Sequence, residues 1–129
     1  MSLVSDYLAG KVVDVMRNTA FSGISGLHLA LFNGDPGPAG SSATEITTTI
    51  RTAGRVAITL NAASNGVTSN AAEVDFGISQ ATTTGGGWGI YDASTSGNLL
   101  LYGGLTPTIQ VLINQTLKIP GGSLSVDLS

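Results

Sequence analysis

Short apolar stretches with twofold alternation, each cut off by a turn signal within about eight to twelve residues, recur along most of this chain. Side chains on a strand point alternately to its two faces, so this period specifies sheets and excludes a helical bundle. Leu27, Leu29 and Leu31 alternate with His28, Ala30 and Phe32, a pattern for a strand covered on both faces. Asn33-Gly-Asp-Pro-Gly-Pro38 stops it, because proline lacks the N–H that pairing requires. Ala39 to Thr49 reads as an exposed loop of small residues, and Val56, Ile58 and Leu60 form the next alternation. Ser64-Asn-Gly-Val67 is a hairpin signal, since Asn-Gly tolerates the positive φ of a tight turn.

A short strand follows around Glu73-Val-Asp-Phe76, and Thr82-Thr-Thr-Gly-Gly-Gly87 is the most flexible stretch of the interior. Trp88–Tyr91, Leu99–Tyr102, Thr108–Asn114, Gln115–Ile119 and Leu124–Leu128 complete the strands. Turns are expected at Gly97-Asn98, Thr106-Pro107 and Pro120-Gly-Gly122. The fold class is mainly β: an antiparallel β-sandwich, jelly-roll-like, with one N-terminal α-helix. Ser5 caps that helix and Asp6 suits the positive end of its dipole. Leu8, Val12, Val15 and Met16 form one apolar stripe, with Lys11, Asp14 and Arg17 facing away. Asn18 and Ser22-Gly23 end the helix, so residues 1–22 are an arm and 23–129 the sandwich of a single domain.

Composition then narrows the function. There is one histidine, no cysteine, and only 10% of residues are charged, against about 25% in an average domain. Side-chain catalysis needs groups that titrate near the working pH, and almost none is present. The net charge is −3, and Lys11, Arg17, Arg51, Arg55 and Lys118 are scattered, which argues against nucleic acid. No apolar run approaches the ~20 residues that span a bilayer, and Met1 to Leu8 lacks the pattern of a signal peptide. Assembly in a cytoplasm, without membrane partners, is the expectation. Weak charge leaves little repulsion between copies, which eases docking.

His28 has neither the orienting carboxylate and nucleophile of a catalytic histidine nor further ligands for a metal, and reads as a packing residue. Glu73 and Asp75 project to one strand face. Calcium binding or glycoside cleavage would use such a pair, but Val74 and Phe76 on the other face make a solvated outer surface the simpler reading. Gly85-Gly-Gly-Trp-Gly89 lacks the lysine and following helix of a phosphate loop; its glycines form a mobile loop or admit a close backbone. Trp88 is either a core aromatic or a subunit anchor. No catalytic residue, metal ligand or cofactor is assigned.

The order of motifs resembles a family of small tailed-bacteriophage virion proteins, often labelled tail fibre or head decoration (cement) proteins. The matching pieces are the helix closing in Arg17-Asn-Thr-Ala20, then Leu29-Ala-Leu-Phe-Asn-Gly-Asp-Pro36, Glu45, Arg55-Val-Ala-Ile-Thr-Leu60 and Asn70. Trp88-Gly-Ile-Tyr-Asp-Ala93, Gly97-Asn-Leu-Leu-Leu-Tyr-Gly-Gly-Leu105 and Leu117-Lys-Ile-Pro-Gly-Gly-Ser-Leu124 follow in register. The family tends to place an aromatic just before its arginine; Ile50-Arg51 departs from this and leaves Arg55 as the better match.

The resemblance implies a structural virion role without catalysis. The expected function is a capsid cement protein on the virion head, bridging subunits of the major capsid protein and associating with itself as a dimer or trimer. The expected contact residues are Leu8, Val12 and Met16 of the helix, and Asp35, Pro36, Glu45, Thr83 and Gly86 of two loops. The alternative is a tail fibre or tail-associated protein involved in host attachment, with Trp88, Tyr91 and Tyr102 as stacking residues for glycans. A carboxylate glycosidase using Glu73 and Asp75 is the third reading.

Overall fold

The alternation in Leu27–Phe32 becomes a central strand whose side chains are divided between two cores. A computed structural model describes residues 3–21, 24, 26–47 and 54–127. Ser22-Gly23, Arg51 and Leu128, each given a role above, lie outside the described residues. The elements in chain order are β1 (Leu3–Val4), α1 (Asp6–Met16), β2 (Leu27–Phe32), β3 (Glu45–Ile46), β4 (Val56–Ile58) and β5 (Val67–Ser69). They continue with β6 (Val74–Ile78), β7 (Thr83–Tyr91), β8 (Leu99–Val111), β9 (Thr116–Ile119) and β10 (Ser125–Asp127).

The main sheet runs β1-β8-β7-β2, and the far side of β2 is shared by β3 and β4. β4 pairs with Leu27–Leu29 and β3 with Leu31 and Phe32. Every pairing is antiparallel. Leu29, Leu31, Trp88, Ile90 and Leu101 point into the larger core, where they meet Val74 and Phe76 of β6 and Val126 of β10. The two-stranded sheets β6–β9 and β5–β10 form this second layer of the sandwich. Ala30, Phe32, Tyr91, Leu99 and Tyr102 line the opposite face, with Ala43 packed on them. Burying a residue such as Leu29 or Ile90 contributes about 2 kcal/mol each, so the period-two pattern fixes the register of β2 on β7.

Two turns form as their residues dictate. Asn65 and Gly66 both take positive φ, and Ser64 and Val67 exchange backbone bonds across them at 2.9 and 3.0 Å. Asn70 is the polar counterpart of the core. Its Nδ2 donates to the carbonyls of Ala72 (2.8 Å) and Pro120 (3.0 Å), and its Oδ1 accepts from Leu124 N–H (2.9 Å). This one buried side chain ties the start of β6 to the turn between β9 and β10.

Three expectations are corrected. The run Thr82–Gly87 is not a flexible loop: Thr83–Gly87 opens β7, and Gly85, Gly86 and Gly87 are buried. Its glycines admit the Asn33–Asp35 backbone, since a Cβ on Gly87 would overlap the Gly34 carbonyl and one on Gly86 would lie 2.6 Å from Asn33 O. Thr106-Pro107 is not a turn between strands; β8 is continuous there. Its register against β7 jumps from Gly87↔Gly104 to Gly85↔Ile109, and proline sits in that bulged segment, where no ladder N–H is needed. The stretch after Ala39 is not all loop, because Glu45 and Ile46 pair with β2.

Candidate functional site

The N-terminal helix is held at its beginning and free at its end. Ser5 is buried; its Oγ accepts from Leu8 N–H at 3.1 Å and donates to Leu99 O, while its N–H donates to Leu100 O at 2.9 Å. Asp6 N–H donates to Pro38 O at 3.0 Å. The far end closes with Asn18 at φ 65°, its N–H on Val15 O and that of Thr19 on Asp14 O, a left-handed cap that asparagine tolerates. Tyr7 and Leu8 pack on the larger core, and Lys11 lies 5.6 Å from the Tyr7 ring centre. Of the predicted stripe, only Leu8 is half-buried. Val12, Val15 and Met16 are 50%, 51% and 82% exposed, so the sandwich leaves most of this apolar surface uncovered.

The loop candidates divide. Asp35 is exposed and its Oδ1 accepts from Gly37 N–H at 2.9 Å. Pro36 is fully buried and Gly86 is buried beneath Asn33, so neither offers a surface to a partner in this conformation. Thr83 is half-buried, its hydroxyl donating to Ala81 O at 2.9 Å.

Glu45 is engaged within the chain. Its carboxylate takes a two-pronged contact from Arg55, Nε to Oε2 at 2.9 Å and Nη2 to Oε1 at 3.0 Å. Arg55 Nη1 donates to Ala93 O (2.9 Å) and Ser96 O (2.7 Å), and its guanidinium lies 3.6 Å from the Tyr91 ring centre. A lysine has neither the fork nor the flat face for this. Burial pushes the Tyr91 hydroxyl's pKa up; Arg55 opposes the shift and Glu45 adds to it. Asp92, in the adjoining loop, is held below the usual carboxylate range by the backbone N–H of Asn98 (2.7 Å) and by its side-chain amide (2.9 Å).

The remaining candidates are placed as follows. His28 faces Tyr91 and Ala57 across the sheet, and among the described residues its buried Nδ1 has no hydrogen-bond partner. Glu73 and Asp75 are exposed while Val74 and Phe76 are buried, as a solvated outer face requires. Among the described residues, no three carboxylate, histidine or cysteine side chains are placed to hold a metal. Trp88 is a core residue, stacked on Gly103, where a Cβ would come within 2.7 Å of the indole. Tyr91 and Tyr102 are likewise buried, so the stacking surface foreseen for glycans is not formed by these three rings.

One surface escaped the sequence reading. Ile78, Leu112 and Ile113 are 58%, 46% and 56% exposed. Hydrogen bonds between Ser79 and both Asn114 and Gln115 bring their segments together at one tip. The signal was available: between Phe76 and Leu117 the chain carries a single charge, Asp92.

Residues 3–127 match the family described as podophage GP4 fiber I protein gp80. No curated protein matches the chain. The chain therefore belongs to that family of tailed-phage virion proteins.

Proposed function

We propose that this member of a podophage fibre family is a structural subunit of a tail-associated fibre that takes part in host attachment, and that it acts by assembly, not catalysis. The observation that carries this reading is the family match, which spans nearly the whole chain and is described by a fibre. It fits a fibre better than a head cement protein, whose partner would be the major capsid protein. The partners proposed instead are further copies of this chain and a neighbouring virion protein.

The surface supports assembly in two ways. Exposed apolar side chains are concentrated on α1 and at the Ile78–Ile113 tip, and few charges oppose the approach of a second molecule. Modest contacts suffice, because repeated subunits multiply weak affinities through avidity.

The test compares virions with and without this protein. Antibody label on tail-proximal fibres, with reduced adsorption to host cells and heads of unchanged heat resistance, is the expected result. Uniform label over the head, with earlier rupture on heating, returns the cement reading and overturns this one.

A further inference from the structure

We infer that α1 is a self-pairing element: two copies of the chain associate through antiparallel α1 helices about a twofold axis between Val12 and Val13. This rests on the reading of the chain as an assembling subunit, but it is tested on the purified protein, so its failure leaves the fibre location untouched.

The helix turns two faces in different directions. Tyr7, Leu8 and Lys11 are half-buried toward the sandwich. On the opposite side lie Ala9, Val12, Val13 and Met16, all exposed, at the i, i+3, i+4, i+7 spacing with which one helix packs on another. Val12, Val13 and Met16 are 50%, 54% and 82% exposed. Three valines and Gly10 also make α1 a poor helix by propensity, so it gains from being covered.

The pattern of this stripe selects its occupant. About an axis between Val12 and Val13, each stripe position maps onto another: Val12 meets Val13 of the second copy, and Met16, the largest, meets Ala9, the smallest. Charge agrees with shape. Asp6 and Arg17 are exposed on the same flank of the stripe. Antiparallel pairing brings Asp6 of each copy to within an axial offset of about 3 Å from Arg17 of the other, at 1.5 Å rise per residue. Parallel pairing would leave the two Asp6 side chains on opposite flanks of the seam, and the two Arg17 likewise, so that neither meets its opposite charge. Arg17 now holds Asp14 at 3.3 Å with its side chain 72% exposed, a surface pair that is easily exchanged.

One helix covers less than the ~800 Å² per partner of a stable interface, so the isolated dimer is weak and gains strength from repetition in an assembly. Sedimentation of the purified chain up to about 1 mM, the range for such affinities, should show a concentration-dependent dimer. Met16→Glu, at a position too exposed to affect folding, should weaken it at least tenfold with an unchanged circular dichroism spectrum. Asp6→Arg should weaken it and Arg17→Asp in the same chain should restore it. The native chain has no cysteine. A mixture of Ala9→Cys and Met16→Cys variants should therefore form the mixed disulfide in preference to either homodimer. Three results each overturn the inference: a monomer throughout the concentration range, an oligomer indifferent to Met16→Glu, or preferential Met16→Cys homodimers.

Discussion

Replacing Asn70 by alanine tests whether one buried polar side chain holds the second layer of the sandwich. The substitution removes three hydrogen bonds, of 2.8, 3.0 and 2.9 Å, from a residue that is 1% exposed. Each is worth about 0.5–1.5 kcal/mol net. Ala72 is exposed and its carbonyl can turn to water, while Pro120 O still receives Ser123 N–H at 3.1 Å. The N–H of half-buried Leu124 has the poorest substitute. The expected loss is therefore about 2–3 kcal/mol, a large share of a stability of about 5–15 kcal/mol. In a chain of this size it corresponds to a fall in Tm of about 10 °C. Urea denaturation of Asn70→Ala beside exposed Asn61→Ala, whose amide bonds Ser69 Oγ at 3.1 Å, supplies the comparison. Asn70→Asp is the sharper variant, because it sets an acceptor where Nδ2 faced two carbonyls. It should be at least as destabilising near neutral pH and recover in acid as the carboxyl protonates. A loss below about 1 kcal/mol in Asn70→Ala, or an aspartate as stable as wild type, would refute this account of Asn70.

Arg55→Lys should cost about 2 kcal/mol, because lysine cannot hold both Glu45 oxygens and two carbonyls from an environment that leaves the arginine side chain 7% exposed. Hydrogen exchange should show residues 92–98 losing protection first; uniform loss, or none, contradicts the clamp. Gly87→Ala should prevent folding or cost more than about 3 kcal/mol, since its Cβ overlaps Gly34 O; a soluble variant with wild-type Tm would show that the Asn33–Asp35 loop does not lie there. Stability should also depend on pH at both extremes. The depressed pKa of Asp92 contributes stability in full above about pH 3.9, lost as pH falls through its folded value, so Asp92→Asn should flatten the acid limb. The raised pKa of Tyr91 contributes stability below about pH 10, lost as pH rises through its folded value, and Tyr91→Phe should flatten that limb in urea titrations.

What the sequence disclosed was local. The Ser5 cap, the Asn18 stop and the Asn65-Gly66 hairpin each rest on chemistry within a few residues, and each is present. The twofold period placed β2, β6 and the ends of β7 and β8, because a half-covered strand writes its two faces into alternate positions. The misread segments are governed by distant contacts. Three successive glycines look like a loop until the Asn33–Asp35 backbone is found lying across them. A proline looks like a strand end until a bulge removes the need for its N–H. Glu45, Arg55 and Asn70 were visible as pieces of a family pattern, but apart from the nearby Ala72 carbonyl their hydrogen-bond partners lie 10 to 54 residues away, a relation that no spacing rule expresses. Among the expected contact residues, the apolar stripe on the helix was readable from period alone. The burial of Pro36 and Gly86 was not, because burial of a loop by another loop leaves no periodic mark.

The few charges of this chain are spent unevenly, and that bears on how it assembles. Arg55 and Glu45 neutralise one another inside the fold, and Asp92 is bound into its own loop. Asp14 with Arg17 and Glu73 with Lys118 pair at the surface. Of the two apolar exposures, the outer stripe of α1 is flanked by Asp6 and Arg17, whereas the Ile78–Ile113 tip meets solvent with no charged residue in segments 76–80 and 111–116. A charged rim commonly keeps such patches apart by repulsion and desolvation. At the tip, which has none, shape decides what the patch accepts; beside the helix stripe, Asp6 and Arg17 lie on one flank, where an antiparallel partner brings each against its opposite charge.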